Sequence, residues 1–79
     1  MQLTLEEFKS TLADEIPTLT PEQINSGASF EDCGIDSLMA FEIAMTVEDV
    51  YGVHIPDDEL ARMNSVEDVW TFAIGNMPS

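Results

Sequence analysis

The sequence predicts an all-α fold, a small bundle of three main helices plus one short helix, with a long loop between the first two main helices. Three observations carry this. Apolar residues recur at steps of three and four, small polar residues stand at helix starts with capping spacing, and Pro17, Gly34 and Gly52 punctuate the periodic runs. At 79 residues the chain is expected to be one domain, residues 1–79, near the lower limit for burying a core without staples.

The first helix is expected from about Leu5 to Ile16. Thr4 and Glu7 have capping-box spacing, and Leu5, Phe8, Leu12 and Ile16 follow on one face. Pro17 ends it, because proline lacks the backbone donor and disfavours the helical conformation in the residue before it. From Pro17 to Asp36 the chain is punctuated by Pro21, Asn25, Ser26, Gly27 and Gly34, which describes a long loop with one short turn around Pro21 to Ile24. Ile24, Phe30 and Ile35 are the apolar residues that can pin this loop to the core.

The longest periodic run predicts a helix from Ser37 to Tyr51, closed by Gly52 as a left-handed cap. At 100° per residue, Met39, Ala40, Ile43, Ala44, Val47, Val50 and Tyr51 form one broad apolar face, expected against the core. Leu38, Phe41 and Met45 fall together on the opposite side with Glu42, Glu48 and Asp49, as a recognition stripe would. After Gly52 a short extended link leads to Pro56, and the acids Asp57 to Glu59 suit the first turn of a short helix ending near Met63-Asn64. Ser65 caps the last helix, to about Gly75-Asn76, with Asp68 where a capping box usually has Glu. The expected core is Phe8, Leu12, Ile43, Val47, Val66, Val69 and Trp70.

Sixteen acids against only Lys9 and Arg62 give a formal net charge of −14. Such a surface repels phosphate backbones and anionic lipid, which argues against nucleic-acid and membrane binding and for basic protein partners met through salt-sensitive steering. The lone Cys33 has no internal disulfide partner and no Cys/His cluster has zinc spacing, so no metal site and a reducing cytoplasm are expected. The first residues lack the basic and apolar segments of a signal peptide, and no run reaches the roughly 20 apolar residues of a membrane span. Neither Asp32 to Asp36 nor Asp57 to Glu59 has the alternating ligands of an EF-hand loop.

Asp36-Ser37 ends the glycine-containing loop and opens the longest helix, where free N–H groups and the positive end of the helix dipole favour an attached anion. A nucleophilic serine needs a neighbouring base, and the chain offers little: its one histidine, His54, is expected roughly 25 Å away at the far end of the helix. No Gly-x-Ser-x-Gly elbow surrounds Ser37 either. An enzyme is therefore not expected.

Gly34-Ile35-Asp36-Ser37-Leu38, followed by a helix carrying Glu42 and Glu48 and then by Tyr51-Gly52-Val53-His54-Ile55-Pro56-Asp57-Asp58-Glu59-Leu60, resembles the acyl carrier proteins over essentially the whole chain. The resemblance implies that Ser37, flanked by Asp36 and Leu38, receives 4′-phosphopantetheine from coenzyme A through a phosphopantetheinyl transferase, and that the arm's thiol holds acyl or ketide intermediates as thioesters. It implies a partner surface of Leu38, Phe41, Glu42, Met45, Glu48 and Asp49 for that transferase, an acyltransferase, a ketosynthase and other basic-surfaced enzymes. Met39, Ala40, Ile43 and Ala44 are the expected acyl-cavity lining. A freestanding monomeric carrier of a type II system is expected, and Met39, Ala40 and Phe41, which depart from the pattern common in fatty-acid carriers, lean toward polyketide over fatty-acid synthesis.

Alternatives are a peptidyl or aminoacyl carrier, although only Gly34 stands where such carriers commonly have two glycines, and an unmodified acidic interaction domain. In any of these the acidic surface repels itself, so the melting temperature should rise with added salt. A melting temperature indifferent to ionic strength would contradict this.

Overall fold

Residues 3–25, 27 and 29–77 are described by the computed structural model, and among them the chain forms five helices and no strand. Expectations resting on Met1, Gln2 and Ser26 lie outside these residues.

Helix α1, Leu5–Glu15, begins on a reciprocal capping box. The Thr4 hydroxyl accepts from the Glu7 amide at 3.1 Å, and the Glu7 carboxylate accepts from the Thr4 amide at 3.1 Å. Two of the donors that a helix start leaves without intrahelical partners are thereby satisfied. The expected turn at Pro21 is a short helix, α2, Pro21–Asn25. Its start repeats the device: Thr20 accepts from the Gln23 amide at 3.1 Å, and the Gln23 side chain accepts from the Thr20 amide at 3.0 Å. Thr20-Pro21-Glu22-Gln23 thus has capping-box spacing, with proline at the first helical position where its missing donor does no harm.

Helix α3, Ser37–Tyr51, has the expected bounds. Gly52 closes it at φ 71°, and its amide donates to the Glu48 carbonyl at 3.0 Å. Helix α4, Asp57–Arg62, is short, and α5, Val66–Asn76, starts on Ser65, whose hydroxyl accepts from the Asp68 amide at 3.2 Å. The Asp68 carboxylate does not return to the cap itself. It accepts from the Asn64 amide at 2.9 Å, one residue earlier, bracing the link from α4.

Phe8, Leu12, Ile43, Val47 and Val69 are fully buried and Val66 nearly so, as expected. Two expected core residues are not in it. Trp70 is half-buried at the rim, where its indole N–H donates to the Leu3 carbonyl at 3.0 Å; an indole needs a partner for that donor, and the rim supplies one. Val50 is 43% exposed. At 100° per residue it lies about 70° from the centre of the buried arc of Ala40, Ile43, Ala44 and Val47, at the edge of the apolar face. Tyr51 is half-buried, its hydroxyl donating to Thr11 at 2.8 Å and its ring 6.0 Å from that of Phe8.

The segment between α1 and α3 is far from structureless. Ile16, Leu19, Ile24, Phe30 and Ile35 all enter the core. The Phe30 amide donates to the Asn64 carbonyl, tying this loop to the α4–α5 link, and the Ile35 amide donates to the Phe30 carbonyl at 2.8 Å. Gln23 reaches across from α2 to the Cys33 carbonyl at 3.2 Å. Apolar pins and backbone pairing together fix where the chain enters α3.

Candidate functional site

Ser37 is the first residue of α3 and Asp36 is its N-cap. The Asp36 carboxylate accepts from the Met39 amide at 2.9 Å, which occupies the side chain with its capping role. By helix geometry the amides of Ser37 and Leu38 lack intrahelical acceptors, so the helix presents donors and the positive end of its dipole there. Asp36, Ser37 and Leu38 are all exposed.

Ser37 stands on the edge of a cleft of about 510 Å³. Its apolar lining comes from three separate segments: Phe30 and Ile35 of the loop, Ala40 and Phe41 of α3, and Leu60, Ala61 and Met63 at α4, with Glu31, Asp36, Asp57 and Asn64 adding polar atoms. Of the four residues expected to line a cavity, Ala40 does so here. Ala44 lies instead under a second, smaller depression of about 160 Å³, shared with Phe41, Met45, Glu48, His54, Ile55 and Asp57. Ile43 is fully buried and Met39 half-buried against the core, and neither lines either hollow. The reason is rotational: Ser37, Ala40 and Phe41 occupy the side of α3 toward α4, and Met39 and Ile43 lie about 100° or more round the helix from its middle.

Leu38, Phe41 and Met45 are 71%, 48% and 50% exposed, and Glu42, Glu48 and Asp49 beside them are exposed as well. The expected stripe is therefore a continuous solvent-facing surface beginning next to Ser37. His54 is a surface residue whose Nδ1 lies 3.2 Å from a Glu48 carboxylate oxygen, and both side chains are more than half exposed. It sits beyond the opposite end of α3 from Ser37, about 20 Å along a helix of this length, and so does not serve that hydroxyl as a base. Among the described residues no group of His, Cys, Asp or Glu is arranged to hold a metal ion, and no helix is long and apolar enough to cross a membrane.

An exposed hydroxyl at a helix start, on the lip of an apolar cleft, fits a phosphodiester carrying a flexible arm. The phosphopantetheine attachment site family matches residues 6–72 of the chain, and the acyl carrier protein of Thermosynechococcus vestitus is 41% identical over 69 residues, covering 86% of this chain and 84% of that protein. The chain belongs to the acyl carrier protein family. Members of this family are carriers and not catalysts, they bear phosphopantetheine, and they work with pathway enzymes such as synthases and transferases. The meromycolate extension acyl carrier proteins of Mycobacterium leprae and Mycobacterium tuberculosis are each 42% identical over 76 residues, or 91% of this chain. The chain spans 66% of the length of these two relatives.

Lining from the loop and α4 has no periodic signature of its own in the sequence. Phe30 and Ile35 were legible as loop pins, Leu60 as part of the short helix; their meeting beside Ser37 is a tertiary fact.

Replacing Asp36 with Ala removes the cap at the carrier's candidate site, and urea denaturation should show a loss of about 0.5–2 kcal/mol. Asp36→Asn, which keeps an acceptor, should recover most of it. Equal stability in all three proteins would contradict a capping role.

Proposed function

We propose that Ser37 is the residue that receives the 4′-phosphopantetheine arm, and that this carrier presents acyl intermediates to the enzymes of a fatty-acid or polyketide assembly pathway. The observation that carries this is the exposed Ser37 hydroxyl at the start of α3, on the lip of the cleft of about 510 Å³. The bound arm supplies a terminal thiol that holds acyl groups as thioesters. Everything else falls to the chain's own residues. The free amides of the first turn of α3 favour the phosphodiester anion, and Asp36 holds that turn in place. Phe30, Ile35, Ala40, Leu60 and Met63 offer an apolar shelter for a hydrocarbon chain, which favours acyl over aminoacyl cargo.

Leu38, Phe41, Glu42, Met45, Glu48 and Asp49 form the proposed docking surface for the phosphopantetheinyl transferase, an acyltransferase, a ketosynthase and other basic-surfaced enzymes. Long-range attraction to so acidic a chain speeds encounter without prolonging residence, as a shuttle visiting several enzymes requires. The names of the mycobacterial relatives, which speak of meromycolate extension, support acyl-chain extension as the kind of pathway served. Residues 1–79 would act as one monomeric carrier unit, and the unpaired Cys33 fits a reducing cytoplasm.

Incubation of the apo protein with coenzyme A and a broad-specificity phosphopantetheinyl transferase should add the mass of one phosphopantetheine, and Ser37→Ala should add none. No gain on the wild type would overturn the proposal. On the docking surface, Glu42→Lys and Met45→Ala should each slow modification about five- to tenfold at low salt, roughly 1–1.4 kcal/mol, with the helical circular-dichroism signal unchanged. Unaltered rates in both variants would count against the stripe.

A further inference from the structure

The cleft beside Ser37 and the smaller hollow of about 160 Å³ follow one another along α3 and share two lining residues, Phe41 and Asp57. Phe41 belongs to α3 and Asp57 opens α4 across from it. The floor of the smaller hollow includes buried Ala44 and Ile55, whereas Glu48 and His54 there are exposed. A hydrocarbon chain starting at Ser37 and running along α3 therefore has apolar surface on both sides of Phe41, with the ring and a carboxylate between. The carboxylate is a poor neighbour for methylenes, so the apolar route passes the ring.

Resting on the carrier reading above, we propose that Phe41 is a partition that sets the longest acyl chain this protein shelters. A chain fills the cleft next to Ser37 and stops at the ring. The smaller hollow joins that space only when the ring is gone. Phe41 is 48% exposed and lines both hollows, so its ring stands between them as a wall of each. The hollow beyond is about the size of an apolar cavity of roughly 150 Å³ that accepts a benzene ring, which corresponds to about six carbons.

The test loads the protein, wild type and Phe41 variants alike, with acyl-phosphopantetheine from a coenzyme A series running from butanoyl to hexadecanoyl, and reads the melting temperature of each product. In the wild type the melting temperature should climb with chain length while methylenes are still being sheltered, then level off. Phe41→Ala should move the levelling point to chains longer by about four to six carbons, and Phe41→Leu should fall between. A levelling point that stays put or moves to shorter chains in both variants would overturn the partition. Should Phe41→Ala fail to fold by circular dichroism, Phe41→Leu and Phe41→Val decide in the same way. Wild-type protein that accepts no arm would overturn the carrier reading and the partition with it; loading without a shifted levelling point overturns the partition alone.

Discussion

Every feature of the site depends on α3 being buried along one side and bare along the other. Ile43 and Val47 are fully buried, Ala40 and Ala44 nearly so, and Leu38, Phe41 and Met45 lie open. Burying a side chain the size of Ile or Val stabilises by about 1.5–3 kcal/mol, whereas an exposed polar contact such as His54–Glu48 contributes roughly 0–1 kcal/mol. Packing therefore sets the rotation of the helix, and charge does not. A turn of one residue position would carry Glu48 toward the core and remove Ile43 from it, so the acidic stripe is exposed because the alternative buries an unpaired carboxylate.

That rotation needs a fixed starting point, which the preceding loop provides. Ile35 is buried two residues before Ser37, and its amide is bonded to the Phe30 carbonyl. Phe30 is in turn buried and tied to Asn64. These two side chains also line the cleft. A chain this small has few apolar residues to spare, and here the same residues position the Ser37 backbone and build the surface beside its hydroxyl. With no polar side chain buried in the described core, apolar contact and backbone pairing carry this arrangement, and the Gln23 bond to the Cys33 carbonyl and the Asp36 cap add to it.

Much of this was legible in the sequence because it is local. Asp36, Gly52, Thr4 with Glu7, and Ser65 each mark a helix boundary through a bond to a residue three or four positions away, and spacing alone reveals such bonds. The exposed stripe was legible for the same reason, being a property of one helix. The cavity was not, because its walls come from the loop, α3 and α4, and periodicity within α3 cannot say which neighbour faces which arc. Hence Met39 and Ile43, expected in an acyl-cavity lining, are not among the walls of these two hollows. Val50 and Trp70 failed at the edges of faces, where a hydrophobic pattern does not distinguish rim from core. Thr20 and Gln23 did carry a readable signal, and it marks a helix where a turn was expected.

The central claim, that the attached arm belongs on Ser37 at the lip of the cleft, is tested most directly by fragmenting the modified protein in the mass spectrometer and locating the added phosphopantetheine. The added mass should fall on Ser37 alone. Its appearance on Ser29, Ser65 or another hydroxyl, with Ser37 unmodified, would contradict the claim.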